Sequence, residues 1–442
     1  MCIRDSVPRD YWTQVIDIEL PPIVRFERQG GGKEAIEKAA KLLSDAKFPV
    51  ILSGAGVVIG NAIDECKKLA EKLDAPVCNG YQHNDSFPGS HPLAVGPLGY
   101  NGSKAGMELI SKADVVLALG TRLNPFSTLP GYGIDYWPKD ATIIQVDMNP
   151  DRIGLTKKVT VGICGDAKMV SQQILEKLSP TAGDNGRDDR KNLIHQTKSA
   201  WLQTLTSLDH EDDDPGTVWN KEARERDADR MSPRQAWRAI QAGMPDDVII
   251  SSDIGNNCAI GNAYPTFEKP RKYLAPGLFG PCGYGFPSIL GAKIGCPDTP
   301  VIGFAGDGAF GISMNEMSSC AREEWPAITM VIFRNYQWGA EKRNSILWFD
   351  DNFIGTELDP ELSYAKVANA CGLKGVAVKT MEETTKAIKQ SCEDQKKGIT
   401  TFIEVILNQE LGEPFRRDAM KKPVEIAGIE KGDMKPQKSL VG

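Results

Sequence analysis

Val301-Ile302-Gly303-Phe304-Ala305-Gly306-Asp307-Gly308 is the stretch on which the fold turns, and Asn335, 28 positions after the aspartate, completes its reading. Val301 to Ala305 is a short apolar run of the kind that makes a buried strand, and the glycines at its carboxyl end let backbone approach a ligand closely. Open α/β sheets bind ligands at that end of their strands. A second apolar run, Ala327 to Phe333, ends at Arg334-Asn335. A carboxylate and an amide oxygen can thus project from neighbouring strand ends toward one hard cation. Magnesium takes oxygen ligands and keeps phosphate oxygens among them, so the spacing predicts a magnesium-diphosphate site.

Two further segments point the same way. Ser252-Asp253-Ile254-Gly255-Asn256-Asn257 follows the predicted strand Val248 to Ser251, a strand-to-helix crossing whose amides can face an anion. Gly280-Pro281-Cys282-Gly283-Tyr284-Gly285-Phe286-Pro287 opens a helix of small residues that runs to Gly295.

The rest of the chain bounds the answer. At 442 residues, two or three domains are expected, and 41% hydrophobic with 25% charged residues is ordinary globular usage. A net charge of -7 argues against a general nucleic-acid surface. No apolar run approaches the roughly 18 residues of a membrane span. Ten cysteines without a CxxC pair disfavour a zinc site or disulfide framework and favour a reducing cytoplasm. Four histidines, His83, His91, His195 and His210, make a multi-histidine metal cluster improbable.

Periodicity divides the chain into two doubly wound α/β domains with parallel sheets. Residues 1–32 read as a truncated start and linker. Residues 33–180 alternate helix and strand signals: Ala35, Ile36, Ala39, Ala40, Leu42 and Leu43 share a helical face, and Val50-Ile51-Leu52, Asp114 to Leu119 and Thr142 to Val146 read as strands. Residues 181–231 form a polar linker carrying the acidic tract Asp209 to Asp214, read as a solvated face rather than a metal site. Residues 232–410 make the second domain, with Pro233 suited to a first helical turn. The tail, 411–442, is rich in lysine, proline and glycine. Within the first domain, Ser53-Gly54-Ala55-Gly56 lies between strand and helix, but its spacing departs from GxGxxG, so nucleotide binding there is the weaker reading. Arg122, in a turn after another strand, is a candidate to pair with a carboxylate.

Gly306-Asp307-Gly308 with Asn335 resembles the signature of the thiamine diphosphate enzymes, and Asn335-Tyr-Gln-Trp-Gly-Ala-Glu-Lys-Arg-Asn344 is similar, within them, to the sulfoacetaldehyde acetyltransferase family. Acetolactate synthases usually show a different run after this strand, Gln-His-Leu-Gly. The resemblance covers nearly the whole chain, from Val7-Pro8-Arg9-Asp10-Tyr11 to about Pro414. It implies thiamine diphosphate and Mg2+ as cofactors. Asp307, Asn335 and the Gln337 carbonyl would be the metal ligands. Gly255, Asn256, Asn257, Cys282, Gly283, Gly306, Gly308, Ala309, Asn335, Gln337, Trp338 and Gly339 would contact the cofactor. Where Cys282 stands the family commonly has a bulky apolar residue, often methionine; packing as a buried thiol is the expected role here. Trp338 would pack in the core or cover the thiazolium.

The activity implied is transfer of an acetyl unit from sulfoacetaldehyde to phosphate, giving acetyl phosphate and sulfite. Lys342 and Arg343 are candidates to hold these anions, although solvated charge is the commoner fate of such residues and Glu341 could neutralise them. An acetolactate synthase-like carboligase acting on pyruvate, or an inactive cofactor-binding fragment, are the alternatives. The family's activating glutamate belongs to a first domain that has no counterpart here, and Met1-Cys-Ile-Arg-Asp-Ser6 reads as a non-native start, which leaves the catalytic residues unknown. A homodimer or homotetramer is expected, with exposed apolar surface on the second domain.

Overall fold

A computed structural model describes residues 8–15, 17–23, 27–207, 225–277, 279–322, 324–349 and 352–410. The acidic tract 209–214, the opening residues 1–7 and the tail from 411 lie outside the described residues. Two six-stranded sheets organise the chain. The first contains β1 (Pro49–Ser53), β2 (Val77–Asn79), β3 (Ala94–Pro97), β4 (Val115–Leu119), β5 (Thr142–Asp147) and β6 (Val161–Cys164), in the order β3-β2-β1-β4-β5-β6. The second contains β7 (Ile249–Ser252), β8 (Tyr273–Leu274), β9 (Val301–Gly306), β10 (Thr329–Arg334), β11 (Lys374–Val378) and β12 (Thr401–Ile406), in the order β11-β12-β10-β9-β7-β8. Every strand pairing in both sheets is parallel.

Parallel sheets are covered on both faces, which is why their strands read as continuous apolar runs. All five residues of β1 and all six of β10 are buried. The covering helices show one-sided burial: Ile36, Ala39, Ala40 and Leu43 form the inward stripe of Lys33–Asp45. The Pro233–Gly243 helix starts as expected at Pro233. There the Ser232 hydroxyl accepts from the Gln235 amide (3.1 Å), and the Gln235 side chain accepts from the Ser232 amide (2.9 Å).

Part of the expected linker, 181–231, is structured. Arg187–Ser207 is a helix docked on the first domain, with Ile194 in that core and Trp201 packed on Ala105 and Tyr132. Its anchor is Arg190, 1% exposed, whose guanidinium donates to the carbonyls of Lys47, Leu73, Asp74, Gly183 and Asn185. A guanidinium has five donors and no acceptor, so one buried arginine can satisfy several carbonyls at once. Asp227 does the converse for the second domain, taking ion pairs from Arg226 and Arg230 and a bond from the Gln409 amide (3.1 Å).

The domains meet along a polar seam. Asn84 donates to the carbonyls of Asn262 (2.9 Å) and Pro265 (2.7 Å), and Asn262 donates to the Tyr100 carbonyl (3.2 Å). Asp85 accepts from the amides of Lys272 and Tyr273 (2.9 and 3.2 Å).

Candidate functional site

Register builds the site. Gly306 at the end of β9 pairs with Phe333 of β10, and Ser252 of β7 pairs with Phe304 of β9. The residues that follow these strands, Asp253, Asp307 and Asn335, therefore emerge side by side. Gly255, Asn256 and Asn257 reach the cleft from the β7 side. Gly306, Asp307, Gly308 and Ala309 reach it from β9, and Asn335, Gln337, Trp338 and Gly339 from β10. Cys282 completes the wall of this small cleft, whose volume is about 60 Å³. Of the candidate cofactor contacts only Gly283 is outside the lining, its amide donating to Asp253 (3.1 Å); the candidate anion contacts Lys342 and Arg343 are outside it too.

Asp307 is 1% exposed. One of its oxygens accepts from the Gly308 amide (2.9 Å); the other accepts from Arg334 Nη1 (3.0 Å) and the Tyr336 amide (2.7 Å). Burial pushes its carboxyl up to about 6, against the pull of Arg334 and the two amides. Arg334 is fully buried and also faces Glu404 (3.7 Å), donates to the carbonyls of Leu362 (3.0 Å) and Asp359, and stacks on Tyr336 and Tyr364. In the sequence Arg334 shows only as the end of a strand.

Tyr336 sits at φ 60°, in the left-handed region, and turns the chain back into the cleft. The next residues form an antiparallel bridge to 356–358, in which the Tyr336 carbonyl accepts from Leu358 (2.9 Å) and the Trp338 amide donates to Thr356 (2.7 Å). Neighbouring carbonyls alternate along an extended chain, so the Gln337 carbonyl faces away from that partner. The Asn335 side chain is bonded to none of the described residues. Trp338 lies directly on Gly308, where a β-carbon would come within 2.8 Å of the indole.

Asp253 is a second organiser that the sequence reading quoted without a role. It is 1% exposed and accepts from the amides of Ile254 (2.7 Å), Gly283 (3.1 Å) and Gly285 (2.6 Å), tying the Cys282 loop to the end of β7. Burial raises its pKa. Ile254, Ala340 and Glu341 also line the cleft and were missed; they neighbour predicted residues, and that adjacency was the available signal.

Three expectations are corrected. The Cys282 thiol is exposed on the cleft wall, not buried in a core; its loop is tied to the end of β7 where Asp253 accepts from the Gly283 and Gly285 amides. Lys342 is not a solvated charge: it bonds Glu357 (2.7 Å) and the Gln337 side chain (3.1 Å), and its neutralising partner is Glu357 rather than Glu341. Arg343 is 8% exposed, donating to Asn256 Oδ1 (3.3 Å) with its guanidinium over the Tyr100 ring (4.7 Å). Burial pulls its pKa down to about 10.

The first domain carries a larger cavity, about 560 Å³, near the ends of β1 and β4 and lined by Gly56, His83, Gly120, Arg122, Asp147 and Arg152. Gly56 is required by a chain crossing, since a β-carbon there would lie 2.6 Å from the Gly120 Cα. Arg122 makes no ion pair among the described residues, correcting the expected pairing, and burial pushes His83 down to about 4.

An all-oxygen donor set suits a hard cation, and the fit is supported by the unpartnered Asn335 amide and the bare backbone at Gly306, where a β-carbon would meet nothing within 4 Å. No helix among the described residues is long and apolar enough to cross a membrane.

The family "Thiamine pyrophosphate enzyme, central domain" matches residues 36–178, and "Thiamine pyrophosphate enzyme, C-terminal TPP binding domain" matches residues 253–405. A probable sulfoacetaldehyde acetyltransferase of Rhizobium meliloti (strain 1021) is 77% identical over 98% of this chain and 74% of its own length. A sulfoacetaldehyde acetyltransferase of Roseovarius nubinhibens is 73% identical over 98% of this chain and 72% of its own. The chain spans about three quarters of the length of these relatives. Benzoylformate decarboxylase from Polynucleobacter necessarius shares the fold, with a TM-score of 0.67 at 20% identity over 91% of this chain and 70% of that one. The chain belongs to the thiamine pyrophosphate enzymes and, within them, to the sulfoacetaldehyde acetyltransferase family of acyltransferases.

Proposed function

We propose that the chain binds thiamine diphosphate through Mg2+ in the cleft at the ends of β7, β9 and β10, and converts sulfoacetaldehyde and phosphate to acetyl phosphate and sulfite. The observation that carries this reading is that Asp307, Asn335 and Gln337 all line one small cleft at the strand ends, with the Asn335 amide bonded to none of the described residues. Asp307, Asn335 and Gln337 would hold the metal, and Gly255 and Gly306, beside which nothing stands within 4 Å of a β-carbon, would let the diphosphate lie against backbone. Bound there, thiamine diphosphate supplies an electron sink for a carbanion beside a carbonyl. The overall change breaks the carbon-sulfur bond, whose electron pair leaves with sulfite. The former CH2 gains a proton to become methyl, and the aldehyde carbon becomes the acyl carbon that phosphate oxygen receives.

The protein's share is positioning. Arg334 and two amides fix the Asp307 carboxylate, Trp338 packs on Gly308 at the floor, and Asp253 holds the Cys282 wall. In this reading residues 232–410 are the diphosphate-binding domain and 33–180 the central domain. The enzyme acts in the cytoplasm as a homodimer or homotetramer, associating through apolar side chains that the second domain exposes, among them Phe279 and Ile354. Asp307→Ala is expected to abolish magnesium-dependent binding of thiamine diphosphate in calorimetry, and equal affinity in variant and wild type would refute the site. Sulfite release from sulfoacetaldehyde, set against carbon dioxide release from pyruvate, tests the substrate.

A further inference from the structure

Arg343 stands out among the buried arginines of the described residues. Arg190 is satisfied by five carbonyls, and Arg334, although its Nε also lacks a hydrogen bond, faces two carboxylates and donates to two carbonyls. Arg343 has one side-chain amide oxygen, at 3.3 Å, and an aromatic face. Its Nε is buried without a partner, and among the described residues no carboxylate pairs with it. Burying a charge without a counter-charge is costly, and a cation held over a ring recovers only part of that cost. Burial raises the pKa of the neighbouring Tyr81 phenol, and Tyr100 offers only a ring face.

The position is as informative as the missing anion. Arg343 lies one helical turn beyond Gly339 and Ala340, which line the cleft, and so shares their face of the Gly339–Trp348 helix. Asn256, its one hydrogen-bond partner, also lines the cleft. The neighbouring cation cannot serve in its place, since Lys342 is held by Glu357 and Gln337. A guanidinium presents a planar fork of donors that matches two oxygens of a tetrahedral oxyanion.

We infer that Arg343 is the receptor for the oxyanion of a reactant, either the sulfonate of the aldehyde or inorganic phosphate. The assignment rests on the proposed reaction and adds to it the residue that selects an anionic substrate. Tyr100 reaches this point from the first domain, so the second domain alone would hold the arginine in a different setting.

The test uses the chain loaded with thiamine diphosphate and Mg2+, as wild type, Arg343→Gln and Arg343→Lys, with thermal unfolding followed in parallel. In Arg343→Gln the KM for one of the two anions is expected to rise roughly ten- to hundredfold, the size of a lost hydrogen bond to a charged group. Arg343→Lys, which keeps the charge and loses the fork, should recover part of it. Cofactor affinity should stay unchanged in both. A rise confined to sulfoacetaldehyde identifies the sulfonate, and one confined to phosphate identifies phosphate. Both KM values within about twofold of wild type in the glutamine variant, or a parallel loss of cofactor affinity, would overturn the assignment. Should the loaded wild type release no sulfite, the substrate reading fails by itself. Calorimetric titration with inorganic phosphate and with ethanesulfonate then decides the matter for Arg343: binding lost in Arg343→Gln upholds the receptor, and equal or absent binding in wild type and variant removes it.

Discussion

Replacing Arg334 with methionine keeps the unbranched stem of the side chain and removes the cation that Asp307 and Glu404 face. The three residues are 0%, 1% and 2% exposed, so solvent cannot compensate either carboxylate. No other cation among the described residues lies within ion-pair distance of these two groups. Breaking a buried pair by removing one partner costs about 3 to 5 kcal/mol, because a charge is left uncompensated. The carbonyls of Asp359 and Leu362 lose their donor as well, which places the effect toward the upper end. For a domain of this size each kcal/mol moves the midpoint by roughly 2 to 4 °C, so the transition of the second domain should fall by roughly 6 to 20 °C. Scanning calorimetry at pH 7.5 without cofactor measures it. Adding Asp307→Asn to Arg334→Met should return part of the loss, since one stranded carboxylate is then gone. A shift below about 2 °C for the single variant, or no recovery in the double, would refute the account of Arg334 as the clamp on Asp307.

Two further outcomes follow from the same neighbourhood. Gly308→Ala places a β-carbon 2.8 Å from the Trp338 ring and must displace it; cofactor affinity measured by calorimetry should drop by roughly tenfold with Asp307 intact, and an unchanged value would show that the indole is no part of the floor. Asp307 sets a pH dependence: its native pKa of about 6 lies above the ordinary 3.8, so between these values the native state keeps a proton that the unfolded chain has lost. Its contribution to stability is therefore present below about pH 4 and is lost as pH rises to about 6. The urea stability of wild type relative to Asp307→Asn, without magnesium, should decline across that window and level off above it, whereas a flat difference would contradict the effect of burial.

The strands around the cleft were legible because both faces of each sheet are covered, leaving uninterrupted apolar runs such as Val301 to Ala305. The glycine-aspartate-glycine turn was legible because a strand end near a ligand has few ways to be built. Arg334 was not, since its partners Glu404 and Leu362 arrive from distant elements and nothing beside it in the chain announces them. Asp253 hid for the same reason: two of its three amides lie 30 and 32 residues away. Arg343 looked like surface charge because the ring that covers it belongs to the other domain. The helix at 187–207 was obscured by its many polar residues; Ile194 and Trp201 pack it, but its anchor is a charged side chain, Arg190, which no apolar pattern reports.

The seam between the domains has a consequence for how this protein comes apart. Sequence comparison divides the chain into two modules, but Asn84 and Asp85 of one satisfy backbone groups of the other, and Asn262 returns the bond. Unfolding either module exposes these groups to water and removes partners on which its neighbour relies. Loosening one module should therefore weaken the other, and a protease that nicks the chain between the modules should find the halves still joined.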